Sequence, residues 1–382
     1  MRLRHRDGTL VHLGYCTNVH AAESLDGVLA QLRDYGEPIR EALGVDRLGL
    51  GLWLARDVVG ELSANPAAVR RLRAALLDHG LEVVTLNAFP YQGFHQNVVK
   101  KAVYQPDWLN PDRLGYTVDC ARVLAALLPE DAEHGSVSTL PLAWRSPWST
   151  ADAETAGRAL RQLAVELAAI ERETGRQVRV GLEPEPGCVL ERTDAAAEFL
   201  GGLDNQWIGL CLDTCHLAVA WEDPQLALAT LAAAGVPVVK VQASCALQAD
   251  RPRDPATSAA LWRFAEPRFL HQTKEFSSGR VHSADDLPAT LPGDGPWRVH
   301  FHVPLHADAQ PPLRTTRDHL SATLTALFGG ERTWCDHVEV ETYTWSVLPA
   351  QRAHVGLVEG IARELSWARD TLEAIGLKPE TR

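Results

Sequence analysis

The order in which apolar runs and amphipathic segments alternate constrains this chain most. Strand-like runs occur at "VHLGYC" (11–16), "RLGLGLWLA" (47–55), "LEVVTLNAF" (81–89), "SVSTLPLAW" (136–144) and "QVRVGLEPE" (177–185). Four more follow at "WIGLCLD" (207–213), "PVVKVQAS" (237–244), "WRVHFHVP" (297–304) and "HVEVETY" (337–343). Between them lie segments such as "AAVRRLRAALLDHG" (67–80) and "DAETAGRALRQLAVELAAIERETG" (152–175), with apolar residues at i, i+3 and i+4 and a terminal glycine. Repeated strand-then-helix order implies parallel strands joined by right-handed crossovers. An open doubly wound sheet is the competing arrangement, but no G-x-G-x-x-G fingerprint follows the first strand. The pattern therefore predicts an α/β chain closed into a (β/α)8 barrel.

A closed barrel needs eight strands, and nine runs are present. The stretch 243–297 is rich in Pro, Asp and Arg and lacks a long helical period. It reads as part of an insertion after the seventh barrel strand, spanning 243–310, with an extra strand near 297–304. "TTRDHLSATLTALFGG" (315–330) is then the delayed seventh helix. No repeat or linker divides the chain, so residues 1–382 read as one domain.

Of the 382 residues 46% are hydrophobic, enough for a large core, yet no run approaches the roughly 18 apolar residues that span a bilayer. The N-terminal "MRLRHRDGTLVHLGY" has no apolar signal core. A cytoplasmic location without membrane insertion is expected. The net charge is −12, and the basic clusters at 4–6, 70–73 and 100–101 are short. Duplex binding needs a concentrated basic face, so no nucleic-acid partner is expected. Seven cysteines without paired spacing fit reduced, buried thiols.

Barrel sites lie at the C-terminal ends of the strands. Strand five ends at Glu183, strand six at Asp213, strand seven at Gln242 and strand eight at Glu341. One such acid alone is commonly a helix cap or a loop acceptor. Four adjacent strands that all finish in oxygen donors point to a divalent cation, because converging carboxylates are costly to bury unpaired. Oxygen donors with one imidazole, His216, suit Mn²⁺, Mg²⁺, Co²⁺ or Fe²⁺, with Zn²⁺ also allowed. One ion is expected and a second is left open.

With these motifs the sequence resembles the xylose isomerase-like TIM-barrel superfamily of sugar isomerases, epimerases, inosose dehydratases and endonuclease-IV-type nucleases. The resemblance is clearest at "GLEPEPG", "LDTCH" and "VEVETYTW". It implies that Glu183, Asp213 and Glu341 bind metal, with Glu183 and Glu341 also moving protons. His216, of the D-x-x-H motif, would touch substrate or a second metal. At the end of strand seven the superfamily commonly has His where this chain has Gln242. "FPYQGFH", "VYQPDW" and "LEPEPG" further resemble the TIM-barrel proteins of Ebo operons, described as metabolite traffic proteins.

Substrate contacts are expected from the segment 87–108, which gathers Phe89, Tyr91, Phe94, His95, Tyr104 and Trp108 beside Lys100 and Lys101. Glu185, His302 and Trp345 are further candidates, and His300 and His306 flank His302. Cys188, Cys215 and Cys245 follow three of the strand ends; they read first as small buried residues, with a soft second site for Zn²⁺ as the alternative. The expected activity is metal-dependent isomerisation or epimerisation of a sugar, sugar phosphate or cyclitol by enediol-type proton transfer. Alternatives are a small-metabolite binding or traffic barrel with little catalysis, and an endonuclease-IV-like phosphodiester hydrolase. The partner is a small polyol or sugar; a homo-oligomer is left open.

Overall fold

The computed structural model describes residues 1–349 and 356–380. Eight parallel strands close on themselves: β1 (Leu10–Cys16), β2 (Leu48–Trp53), β3 (Leu81–Asn87), β4 (His134–Thr139), β5 (Gln177–Leu182), β6 (Ile208–Asp213), β7 (Val238–Ala243) and β8 (His337–Val340). Strand β8 pairs in parallel with both β7 and β1, which completes the ring and excludes the open sheet. Beside β1 runs an antiparallel strand, Arg2–Arg4, which also pairs with Lys378–Pro379.

Local chemistry sets the outer helices. Thr150–Thr174 begins at a capping box, in which Ser149 and Asp152 satisfy each other's backbone N–H, and ends at Gly175 with φ +69°. Its buried face includes Leu160, Leu163, Leu167 and Ile170, the spacing that lays one stripe on the barrel. No helix among the described residues is long and apolar enough to cross a membrane.

The residues after β7 build more than one extra strand. Leu247–Ala249, Thr273–Ser277, Arg280–Ala284, Trp297–Val299 and Arg314–Thr315 form a five-stranded antiparallel sheet, with a short helix at Pro255–Trp262. Such short strands carry too little alternation to be seen from sequence. The strand expected over 297–304 stops at Val299. Beyond it the chain leaves the ladder, and Val303 N–H donates instead to the Cys245 carbonyl at 3.0 Å. Helix Arg317–Phe328 then returns the chain to the barrel.

The bore is unusually polar. Layers in barrels of this kind are mostly branched aliphatic, but here Lys240 Nζ lies 2.9 Å from Glu339 Oε1, with both side chains buried. Lys240 also donates to the Leu86 carbonyl at 3.2 Å and to Ser138 Oγ at 3.1 Å. The second glycine of β2 follows from this pair: a Cβ at Gly51 would sit 2.0 Å from the Glu339 carboxylate carbon. Lys240→Met should strand that carboxylate and cost about 3–5 kcal/mol in denaturant unfolding, whereas Lys240→Leu with Glu339→Leu should recover most of the loss.

Candidate metal centre

Asp213 ends β6 and caps the short helix Thr214–Val219. Its Oδ1 accepts from His216 N–H and from Ser244 Oγ, each at 2.8 Å, while Oδ2 is buried without a hydrogen-bond partner. The D-x-x-H spacing is thus one capped turn that carries the imidazole back over the carboxylate. Glu183 continues β5 by donating its N–H to the Thr139 carbonyl at 2.9 Å, and Glu341 continues β8 by donating to the Ala243 carbonyl at 3.1 Å. Glu183 Oε2 has no hydrogen-bond partner. Glu341 Oε1 accepts from Asn18 Nδ2 at 2.7 Å and from Asn87 Nδ2 at 3.1 Å.

One oxygen each of Glu183, Asp213 and Glu341 falls within 4.8 Å of the others. Gln242, in register with Asp213, is fully buried, and neither amide atom finds a hydrogen-bond partner. Burial first, and then the neighbouring carboxylates, raises the proton affinity of both Glu183 and Glu341. Orphaned acceptors around one point are expensive in a closed interior. They fit a divalent cation.

A nitrogen-rich half adjoins this oxygen-rich one. His216 Nδ1 donates to the Pro184 carbonyl at 2.9 Å, His302 Nδ1 to the Glu341 carbonyl at 2.8 Å, and His300 Nδ1 to Gln272 Oε1 at 2.8 Å. The Gln272 amide is oriented by donation from Nε2 to the Pro186 carbonyl at 3.0 Å. Burial keeps all three rings neutral; it lowers His216 to about 4 and drives His300 and His302 down as well. With each proton fixed on Nδ1, every Nε2 presents a lone pair. His216 Nε2 and His300 Nε2 face each other at 3.1 Å, and His302 Nε2 is buried without a hydrogen-bond partner. Ligating histidines are held in this way, by a carbonyl on the other nitrogen.

Glu183, Glu341, His216, His300 and His302 line a cavity of about 520 Å³ of unfilled space, its open mouth included, whereas Asp213 and Gln242 are not among its lining residues. Phe89, Phe94, Phe269 and Tyr343 form its apolar wall, and Glu185 also faces it. Glu185 Oε1 accepts from Tyr104 Oη at 2.6 Å and from Gln272 Nε2 at 3.3 Å.

Of the expected substrate contacts, His95, Tyr91, Trp108, Lys101 and Trp345 are not among the residues lining the cavity. His95 Nε2 bonds the Asn18 carbonyl at 2.8 Å, with its ring against Trp53 and Phe94. Tyr91 packs on Tyr116 and Arg113, and Trp345 Nε1 donates to Glu364 Oε2 at 2.9 Å. Cys215 and Cys245 are close enough for the Cys245 thiol to raise the proton affinity of Cys215, but the three cysteines do not form one ligand group among the described residues. Cys188 bridges to Trp144, whereas Cys215 groups with His300 and His302. Sequence reading passed over Gln272, Asn18, Asn87 and Tyr343. Lys100 stands at the mouth, 2.6 Å from Asp286.

The profile of the xylose isomerase-like TIM barrel family matches residues 40–253, more than half of the chain, and the chain belongs to that family. Similar solved structures include a xylose isomerase-like TIM barrel protein from Mycobacterium smegmatis in complex with magnesium, at 15% identity and TM-score 0.53, covering 96% of this chain and 97% of that one. An L-ribulose 3-epimerase matches at 16% identity and TM-score 0.50, over 96% of this chain and 95% of its own. At such identities the likeness is one of fold. No curated protein matches the sequence.

The raised carboxyls have a measurable consequence in metal-free protein. Burial, the largest cause, pushes Glu185 from 4.5 up to about 8. A folded chain that keeps a proton the unfolded chain releases is fully stabilised below the unfolded pKa and loses that stability as pH rises through the folded one. The buried imidazoles act in the opposite sense, but only below their ordinary value of 6.5, so the melting temperature of chelator-treated protein should fall between about pH 6.5 and pH 8, and added Mn²⁺ or Mg²⁺ should flatten the slope. A level metal-free profile would contradict the site's electrostatics.

Proposed function

We propose that the protein is a divalent-metal-dependent isomerase or epimerase acting on a sugar, sugar phosphate or cyclitol by enediol-type proton transfer. The convergence of Glu183, Asp213 and Glu341, with Glu183 Oε2 and Asp213 Oδ2 lacking hydrogen-bond partners, is the observation that carries this reading. Those three residues, with Gln242, would hold one ion of Mn²⁺, Mg²⁺, Co²⁺, Fe²⁺ or Zn²⁺. Glu185, His216 and His300 form an adjoining group able to hold a second. When bound, a cation there would polarise the substrate carbonyl and acidify the neighbouring C–H.

The chain's own groups supply the proton transfers. One of Glu183 and Glu341 takes the proton from the carbon beside the carbonyl, and the C–H electron pair moves into the enediolate. The other returns a proton to the opposite face for epimerisation, or to the neighbouring carbon for isomerisation. The abstracting carboxylate must start unprotonated and the returning carboxyl protonated, so the two need opposite protonation states when substrate binds. Asn18 and Asn87 fix one oxygen of Glu341 and leave the other free to face the substrate. The aromatic wall offers its faces to the sugar's C–H surface.

A second reading, a small-metabolite binding or traffic barrel with little catalysis, draws support from Gln242. A neutral amide is a weaker donor than the histidine common at that position, and the finer resemblance to Ebo-operon proteins points the same way. Deuterium wash-in from D₂O separates the two readings. Metal-loaded protein should exchange a substrate C–H within a panel of ketoses, ketose phosphates and cyclitols, and Glu341→Gln should slow exchange by about 10²-fold or more. No exchange with any panel member, at full metal occupancy, would favour the binding role.

A further inference from the structure

The opposite end of the barrel holds a second group of ligand-bearing side chains that the proposed reaction does not use. His134 opens β4, and Asp336 and His337 stand at the start of β8. In the eight-membered ring β4 and β8 lie diametrically opposite, so these side chains meet across the bore. One ligand atom of each lies within 4.8 Å of the others, and His134 Nε2 is 3.3 Å from Asp336 Oδ2. The two imidazole centroids are 4.9 Å apart. Ser136 Oγ engages His337 Nδ1 at 2.8 Å, which orients the ring and directs Nε2 to the cluster.

A third imidazole adjoins them. His12 is in register with His337, its ring edge-on at 5.7 Å, and its buried Nδ1 makes no hydrogen bond, with Glu82 Oε1 3.7 Å away. Aliphatic side chains would fill this layer at far lower desolvation cost. His134 and Asp336 keep 17% and 23% of their side-chain surface exposed, so an ion can enter from solvent while His337 anchors the inner side.

We infer that His134, Asp336 and His337 form a structural metal site at the N-terminal end of the barrel, selective for Zn²⁺ or a similar borderline cation. Two imidazoles and one carboxylate match zinc chemistry, and tetrahedral bonds of about 2.0–2.2 Å set ligand atoms about 3.4 Å apart, close to the 3.3 Å already between His134 Nε2 and Asp336 Oδ2. A water completes the shell. The ion ties opposite walls of the barrel where no hydrogen-bond ladder connects them. Its nitrogen donors also set it apart from the oxygen-rich Glu183–Asp213–Glu341 group, which prefers harder ions.

Zinc titration of the chelator-stripped full-length protein tests the site, read as bound zinc per chain and as melting temperature. His134→Gln and Asp336→Asn should each bind one zinc fewer than the unmodified chain and lose part of the zinc-induced rise in melting temperature. Mn²⁺ binding at the mouth should not change. Equal zinc numbers in the unmodified chain and in a natively folded variant would overturn the inference, as would an unmodified chain that binds no zinc. Should both variants misfold by circular dichroism, diethyl pyrocarbonate labelling of the unmodified chain decides. Zinc should protect His134 at least tenfold, and unprotected labelling of His134 at saturating zinc would overturn the site.

Discussion

Carboxylates buried without counter-charge are the constraint on which the rest of the structure turns. Glu183, Asp213 and Glu341 are each nearly inaccessible to water, and the hydrogen bonds they receive leave Glu183 Oε2 and Asp213 Oδ2 unsatisfied. The fold does not offset this with arginine or lysine at the same level. The nearest buried cation, Lys240, is committed one layer deeper to Glu339. A site built this way is unfavourable empty and becomes favourable when a small cation enters. The polar bore has the same logic: Gly51 gives up its side chain so that Glu339 can reach Lys240, and the pair in turn supports the strand ends above it.

Much of this was legible in the sequence because barrel strands end where function begins. The eight strands were visible as apolar runs, and Glu183, Asp213, Gln242 and Glu341 stood out as the polar residue closing each of four neighbours. A strand end is a fixed position in this fold, so residue type there translates directly into place. Loops follow no such rule. The segment 87–108 was correctly seen as aromatic, yet composition does not say which rings turn inward. Phe89 faces the cavity, Tyr91 packs against Tyr116, and His95 binds a backbone carbonyl. The three cysteines come together only in part, Cys215 with Cys245 and without Cys188, for a related reason: distance along the chain from a strand end says nothing about direction around the rim.

The insertion shows the limit most clearly. Gln272, His300 and His302 reach the cavity only because Trp297–Val299 pairs with Leu247–Ala249 just beyond β7, and Thr273–Ser277 pairs with Trp297–Val299 in turn. That pairing joins residues far apart in sequence and leaves little periodic trace. His300 and His302 could be noticed as an alternating pair, but their partner, Gln272, has no local signal at all. It is nevertheless Gln272 that fixes the proton on His300 and ties Glu185 and Tyr104 to it.

This division of labour explains how one mouth presents two kinds of donor. The barrel strands supply hard oxygens at rigid positions, held by the ladder beneath them. The D-x-x-H turn and the insertion supply nitrogens whose tautomers are set by carbonyl acceptors: Pro184 for His216, Glu341 for His302, and the Gln272 side chain for His300. Two neutral imidazoles with lone pairs facing each other at 3.1 Å repel unless something positive comes between them. The insertion therefore does more than cover the cavity. By placing His300 opposite His216 it converts a single carboxylate cluster into a paired oxygen and nitrogen surface, across which a substrate held against the aromatic wall would meet both halves at once.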